Sequence, residues 1–97
     1  MRKLKFTTQA EKITKKLIKY SPEISRLIAD QIEKLREVPN ASNTKKIVGF
    51  PCYRARIGRY RIIYEFNEEF LYVTIIGKRD NVYRSLNKFY SHTSSYL

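Results

Sequence analysis

The sequence predicts an α+β domain in which an N-terminal strand and a helical hairpin pack on a curved, mainly antiparallel four-stranded sheet. Two observations carry this prediction. Apolar residues recur every three or four positions through residues 10–38, and they alternate with polar ones from residue 53 onward. A chain of 97 residues accommodates one such domain, spanning residues 1–97, and is too short for two. A hydrophobic fraction of 42% suffices for a packed core and excludes a disordered polycation.

The first half of the chain is predicted to form a short strand and two helices. Residues 4–6 alternate as in a strand. One face of the first helix is formed by Ala10, Ile13, Leu17 and Tyr20. Ser21 is expected to cap the second helix and Pro22 to occupy its first position. Its apolar face would comprise Ile24, Leu27, Ile28, Ile32, Leu35 and Val38. So short a break between the helices favours an antiparallel hairpin.

The second half is predicted to be a three-strand meander after a polar loop. Residues 40–50 lack a regular period and are expected to form the loop. Strands are expected at residues 53–57, 60–66 and 70–76, joined by turns at residues 58–59 and 67–69. With the first strand these make the four-stranded sheet, and its helices are expected on one face. A short final helix is expected from the spacing of Val82, Leu86, Phe89 and Tyr90, fraying after Ser91.

The composition excludes several classes of function. The longest uncharged apolar stretch, residues 70–77, is far shorter than the roughly 20 residues that span a bilayer. The N-terminus lacks the apolar region of a signal peptide, so we expect a cytoplasmic protein without membrane contact. Cys52 is the single cysteine and fits a reducing compartment. With His92 as the single histidine, the usual zinc sites are excluded, and neither metal nor cofactor is expected.

Positive charge is concentrated in the middle of the chain. The 20 Lys and Arg residues exceed the 9 Asp and Glu residues by 11, and residues 41–64 hold six basic residues and no acidic one. Strand alternation places Arg54 and Arg56 on one face, and the short turn brings that face near Arg61. A block of one sign indicates a polyanionic partner, whereas a merely solvated face usually mixes both signs. The candidate site therefore comprises Arg54, Arg56, Arg61, Lys78, Arg79 and Tyr83.

The stretch CYRARIGRYRIIYEF, followed by LYVTIIGKRDNVYR, resembles the RelE/ParE toxin superfamily of type II toxin–antitoxin systems. The resemblance is closest to the RelE branch, because the ParE branch generally lacks the cationic set and the closing Val-Tyr motif. RelE-type toxins cut messenger RNA in the ribosomal decoding site and are neutralised by a small acidic antitoxin. ParE toxins poison DNA gyrase. The resemblance covers nearly the whole chain.

The resemblance implies a set of catalytic residues, namely Arg54, Arg56, Arg61, Arg79 and Tyr83. Arg61 and Arg54 would clamp the scissile phosphate, and Arg79 would lie where the leaving oxygen takes up a proton. Tyr83 would stack on the flipped nucleobase, act as a general base that accepts a proton, or contribute only to the packing of its helix against the domain. Arg56 occupies the position of a family lysine that takes the proton from the attacking hydroxyl, and arginine stays protonated. Contacts to RNA or the ribosome are expected from Lys45, Lys46, Lys78, Lys12 and Lys16.

The leading hypothesis is a metal-independent mRNA endonuclease that acts by attack of the ribose 2′-OH. Its partners would be messenger and ribosomal RNA in the ribosomal A site and a cognate acidic antitoxin. The two proteins could form a hetero-oligomeric complex that binds operator DNA. Two alternatives stay open: a gyrase inhibitor of the ParE type, and a catalytically inactive relative that acts as an antitoxin-bound corepressor.

Overall fold

The structure of this protein, a computed structural model, describes residues 1–91. Within that range the chain forms five strands and three helices, in the order β1 Lys3–Phe6, α1 Thr8–Tyr20, α2 Pro22–Glu37, β2 Thr44–Lys46, β3 Tyr53–Ile57, β4 Tyr60–Phe66, β5 Phe70–Lys78 and α3 Arg79–Ser91. No helix of the described range is both long and apolar enough to cross a membrane.

A single mixed sheet holds the five strands in the order β1-β5-β4-β3-β2. β1 runs parallel to β5, and every other pair is antiparallel, so the predicted mainly antiparallel α+β fold is confirmed. The sheet has one strand more than predicted, because residues 44–46 pair with β3 instead of remaining in a loop. These three residues lack an alternating pattern, and the pairing with β3 makes them a strand.

The hairpin of α1 and α2 covers one face of the sheet, as the apolar spacing predicts. The side chain of Thr7 accepts a hydrogen bond from the Ala10 amide and so caps α1. Pro22 is the first residue of α2, but the Ser21 side chain makes no capping bond. Two residues of the predicted apolar face, Leu27 and Val38, are each 53% exposed, and Val38 follows the last residue of α2. The core on this face contains Ala10, Leu17, Ile28, Ile32, Leu35, Ala55, Ile62, Tyr64, Leu71, Val73 and Ile76.

Helix α3 covers the opposite face, which corrects the expectation that the helices share one face. Ile62 and Ile63 are consecutive in β4 and therefore point to opposite sides, yet both are fully buried. The second side must consequently be covered as well. Its core contains Cys52, Ile63, Ile75, Val82 and Leu86. The predicted fraying beyond Ser91, including His92, lies outside the described residues.

Side chains at the start of α1, including its capping residue, form hydrogen bonds with the part of the β5 edge that β1 does not cover. β1 pairs with β5 only as far as Val73. Farther along, the Thr7 hydroxyl donates to the Thr74 carbonyl over 2.5 Å. The Gln9 side-chain amide pairs with the Ile76 backbone in both directions, at 3.1 and 3.2 Å. Gly77 and Lys78, at the end of β5, lie beyond these bonds, next to the first turn of α3.

Candidate active site

The register of the sheet gathers four cationic side chains on the face that α3 covers in part. Lys45 of β2 lies opposite Arg54 of β3. Arg56 of β3 lies opposite Arg61 of β4, and Arg61 lies opposite Gly77 of β5. Directly paired residues project to the same side of a sheet. We call the surface formed by Lys45, Arg54, Arg56 and Arg61 the cationic face.

Arg61 is the buried centre of this surface, with only 4% of it exposed. Its Nη1 atom donates to the carbonyls of Gly58 and Tyr60, each over 3.0 Å, and so holds the turn between β3 and β4. Gly58 in that turn has a φ of +55°, which favours glycine. Burial lowers the pKa of the Arg61 guanidinium, and the neighbouring Arg56 and Arg54 lower it further. The cations are therefore close enough to repel one another.

The first turns of α3 bring Arg79 and Tyr83 to the same place. The Arg79 amide donates to the Arg59 carbonyl over 2.7 Å, which ties the start of α3 to the turn between β3 and β4. Tyr83, one turn farther along, is 42% exposed. Both residues affect the pKa of Arg61, Arg79 by lowering it and Tyr83 by raising it. The other four side chains predicted as catalytic thus lie close enough to Arg61 to influence its charge.

Few carboxylates are available to neutralise this surface. The three ion pairs within residues 1–91 lie elsewhere: Lys3–Glu69, Lys15–Glu11 and Arg36–Glu33. Glu65 shares a strand with Arg61, but it accepts a hydrogen bond from the Tyr90 hydroxyl over 2.7 Å. Asp80 follows Arg79 directly in the first turn of α3. An external anion would relieve the repulsion among the arginines.

The other predicted cations lie away from the cationic face. Lys46 lies opposite Tyr53, and its Nζ atom is 6.0 Å from that ring. Adjacency in sequence predicts Lys78 beside Arg79, but Lys78 lies opposite Tyr60, which packs against the hairpin core. It shares a groove of about 470 Å³ between α1 and α3 with Lys16. Lys12 is exposed on α1.

A buried polar cluster under α3 was not anticipated from the sequence. The Tyr90 hydroxyl donates to Glu65 and lies 3.3 Å from the Thr74 hydroxyl, which in turn donates to the Ile63 carbonyl. Burial raises the pKa of Tyr90 and raises that of the Cys52 thiol to about 11. Helical spacing marked Tyr90 as a packing residue, but nothing in it indicated Glu65 as its partner. The cluster anchors the end of α3 that lies farthest from Arg79.

The candidate site is composed of cationic and phenolic side chains. Among the residues that the structure describes, no group of three or more His, Cys, Asp or Glu side chains could hold a metal ion. The groups that could act on a ligand here are guanidinium, ammonium and phenol groups. They suit the binding of phosphate and the stabilisation of negative charge.

Comparison with known families identifies the class of protein. A family model described as "ParE toxin of type II toxin-antitoxin system, parDE" matches residues 4–83. The chain belongs to this family and is the toxin of a type II toxin–antitoxin system, which confirms the resemblance to the RelE/ParE superfamily. A comparison with curated protein sequences gives no match.

Solved structures of several toxins share the fold. A YoeB/ParE toxin from Agrobacterium tumefaciens is 16% identical with a TM-score of 0.72, over 81% of this chain and 99% of that one. The RelB–RelE antitoxin–toxin complex from Methanococcus jannaschii gives 27% identity and a TM-score of 0.60, over 84% and 96%. The DinJ–YafQ toxin–antitoxin complex from E. coli gives 13% identity and a TM-score of 0.70, over 84% of this chain and 97% of that one. Two of these three structures are complexes with an antitoxin.

Proposed function

We propose that this toxin is a ribosome-dependent mRNA endonuclease of the RelE type. The observation that carries the proposal is the grouping of Arg54, Arg56, Arg79 and Tyr83 around the buried guanidinium of Arg61. Such a concentration of fixed positive charge is suited to a phosphate whose negative charge increases during a reaction.

The reaction is a transfer within the RNA chain. The ribose 2′-oxygen forms a bond to the adjacent phosphorus, and the bond from phosphorus to the 5′-oxygen breaks. A base takes the proton of the 2′-hydroxyl, and the departing 5′-oxygen takes up a proton. The products are a 2′,3′-cyclic phosphate and a 5′-hydroxyl. Arg61 and Arg54 hold the non-bridging oxygens, and Arg79 lies beside the leaving oxygen.

The general base that accepts the proton of the 2′-hydroxyl is the catalytic group that this site supplies least well. Arg56 stays protonated and therefore orients the 2′-hydroxyl or binds phosphate instead of removing a proton. Tyr83 is exposed, so a base of the RNA can reach its ring for stacking, and its hydroxyl lies near Arg61. A site without an efficient base should act slowly on free RNA. Presentation of a bent messenger by the ribosome would compensate, because correct orientation alone lowers the barrier substantially.

The remaining lysines contribute to binding in this proposal. Lys45 extends the cationic face along the messenger. Lys46, Lys78, Lys12 and Lys16 lie on other surfaces and contact ribosomal RNA phosphates in the A site. A cognate acidic antitoxin covers part of the excess of 11 positive charges. The complex of the two proteins binds operator DNA in the cytoplasm.

Gyrase inhibition is the second candidate, and the description of the matching family as ParE toxins favours it. In this case the cationic face would contact a protein or DNA and would catalyse no reaction. Substitution of Arg79, which is exposed and makes no side-chain bond within residues 1–91, would then weaken binding without any change in RNA.

Expression in a bacterium separates the two functions. We expect induction of the wild-type toxin to stop growth and to produce new messenger 5′ ends within codons. Arg79→Ala should remove both effects, whereas Lys34→Ala, a matched loss of one exposed charge on α2, should remove neither. Growth arrest with intact messengers and a DNA damage response would contradict the endonuclease proposal and support gyrase inhibition.

A further inference from the structure

A groove along the edge of β5 is a second place where the structure brings basic side chains together. It lies between α1 and α3, next to the part of the β5 edge that β1 leaves uncovered, and it encloses about 470 Å³. Ligand pockets typically enclose about 300–1,000 Å³. The groove is lined by none of the residues of the cationic face. A ligand held here would therefore make contacts in addition to those of the candidate active site.

The polar groups at this groove come from three different elements. Lys16 of α1 and Lys78 of β5 are exposed at it, and Asn81 and Ser85 line it from α3. No carboxylate is among the described residues that line the groove. Neither lysine takes part in the three ion pairs of residues 1–91. Two ammonium groups beside an amide and a hydroxyl suit a ligand that carries a phosphate and further polar atoms.

The floor of the groove is apolar and includes an aromatic ring. Leu17 and Ile76 line it and are buried. Tyr60 pairs with Lys78 across the sheet, so the two side chains project to the same side. Tyr60 is half-buried, and part of its surface remains accessible to a ligand. Unstacked nucleobases bind to aromatic rings of this kind, because every base has a π face. The groove thus combines a surface for a base with charges for a phosphate.

Helix α3 lies between the groove and the cationic face. Asn81 and Ser85 are four residues apart and therefore share one flank of the helix, which lines the groove. Arg79 and Tyr83 are also four residues apart, and their flank faces Arg61. An RNA chain that passes over the start of α3 can therefore occupy the cationic face and the groove together.

We propose that the groove binds one unstacked nucleotide of RNA, with its phosphate between Lys16 and Lys78 and its base against Tyr60. The Asn81 amide lies at the groove, where it bonds to the edge of the base. The inference rests on the proposed endonuclease function and adds a second RNA contact to it. Messenger and ribosomal RNA carry the same chemistry, and either one supplies the nucleotide.

Loss of the two lysines should weaken binding without slowing the chemical step. We expect Lys16→Gln combined with Lys78→Gln to raise the KM of ribosome-dependent cleavage at least tenfold and to leave kcat within twofold. The slope of log KM against log salt concentration should decrease by about 0.7 for each lost phosphate contact. Lys19→Gln combined with Lys34→Gln removes the same charge from exposed positions outside the groove. This matched control should change KM less than twofold.

The amide tests whether the groove holds a nucleotide or only attracts negative charge. Asn81→Ala should raise KM at least threefold and leave the salt dependence unchanged, because no charge is lost. Asn87→Ala, an exposed position on α3 outside the groove, should change neither quantity. An unchanged KM for Asn81→Ala would overturn the bound nucleotide, since general attraction by the lysines would then explain their effect.

Direct binding identifies the source of the nucleotide. The double lysine variant should bind a single-stranded RNA oligonucleotide of messenger sequence less tightly if the messenger occupies the groove. It should bind messenger-free ribosomes less tightly if ribosomal RNA does. Unchanged affinity for both would overturn the groove proposal and leave the endonuclease proposal intact. Weaker binding by the variant, together with absence of cleavage by the wild-type protein, would overturn the endonuclease proposal alone.

Discussion

At the scale of single residues, the site could be predicted where strand periodicity applies. Alternation alone placed Arg54 and Arg56 on one face, and the short turn brought Arg61 to them. The same reasoning did not reveal that Arg61 is buried and bonded to two carbonyls, because burial depends on how α3 covers the sheet. Adjacency in sequence was a wrong guide for Lys78, because Lys78 points to the face opposite Gly77 in β5, whereas Arg79 begins α3.

Replacement of Arg61 should cost both stability and activity. Arg61→Ala removes the two hydrogen bonds to the turn, and hydrogen bonds from a charged donor contribute about 1.5–3 kcal/mol each. Relief of repulsion from Arg54 and Arg56 offsets part of this, so we expect the free energy of unfolding to fall by about 1–3 kcal/mol. Messenger cleavage should fall by about 10²–10³, as when one stabilising group for a developing charge is lost.

Arg79→Ala is the matched control for that stability effect, because Arg79 is exposed. Its free energy of unfolding should stay within about 0.5 kcal/mol of the wild type, while cleavage falls to a similar extent. Urea denaturation and a ribosome-dependent cleavage assay measure the two quantities. Full activity in both variants would contradict the assignment of the site.

Arg56→Lys should increase the rate of cleavage. Lysine can lose its proton when it lies among other cations, whereas arginine cannot, so the variant gains a general base. We expect a gain of at least tenfold, since general-base catalysis typically contributes 10²–10⁴-fold. The gain should grow as the pH rises toward 9. Arg59→Lys, in the adjacent exposed turn, should show no gain. An unchanged rate for Arg56→Lys would show that position 56 does not meet the 2′-hydroxyl.

At the scale of secondary-structure elements, the long amphipathic helices and the three alternating strands could be predicted from the sequence. The short strand β2 could not, because its Thr-Lys-Lys sequence has no buried alternation and only its pairing with β3 defines it. The side on which α3 packs was also missed. The signal was present in Ile62 and Ile63, whose consecutive burial requires cover on both faces of the sheet.

Tyr90→Phe should loosen the far end of α3. The variant keeps the aromatic ring but loses the hydrogen bond to Glu65, so we expect the free energy of unfolding to fall by about 1–3 kcal/mol. Faster hydrogen exchange in α3 than in α1 would show that the loss is local. Tyr20→Phe, on the exposed end of α1, should change neither quantity. Equal acceleration throughout the chain would contradict an anchoring role for Tyr90.

At the scale of the whole molecule, the core on both faces of the sheet keeps the concentrated positive charge in place. Residues 41–64 carry six of the excess positive charges, and β2, β3 and Arg61 of β4 fall within them. Cores on both faces enclose the sheet between the hairpin and α3, and the arginines project from that sheet despite their repulsion. The net charge alone indicated a polyanionic partner but gave no position for it.

The buried thiol of Cys52 and the buried phenol of Tyr64 predict a loss of stability at high pH. Burial raises the pKa of Cys52 to about 11 and that of Tyr64 to about 12. Each group binds its proton more tightly in the folded state than in the unfolded chain. Its contribution to the free energy of unfolding is therefore complete below its ordinary pKa and is lost as the pH rises to its pKa in the folded protein. The free energy of unfolding should therefore fall between about pH 9 and pH 12.

Two variants check the source of that loss. Cys52→Ala should reduce the decline in stability between about pH 9 and pH 11, and Tyr64→Phe should reduce it between about pH 10 and pH 12. Tyr64→Phe also loses the hydrogen bond to the Pro39 carbonyl, so its stability should be lower at neutral pH as well. A decline of the same steepness in both variants would assign the effect to other groups.

Cleavage of a defined messenger by the purified protein tests the central claim most directly. The reaction is run with and without ribosomes that hold the messenger with an empty A site, and the ends of the fragments are analysed. We expect cleavage within the A-site codon only when ribosomes are present, giving a 2′,3′-cyclic phosphate and a 5′-hydroxyl, with Arg79→Ala inactive. An intact messenger under these conditions, together with inhibition of gyrase by the same preparation, would contradict the account.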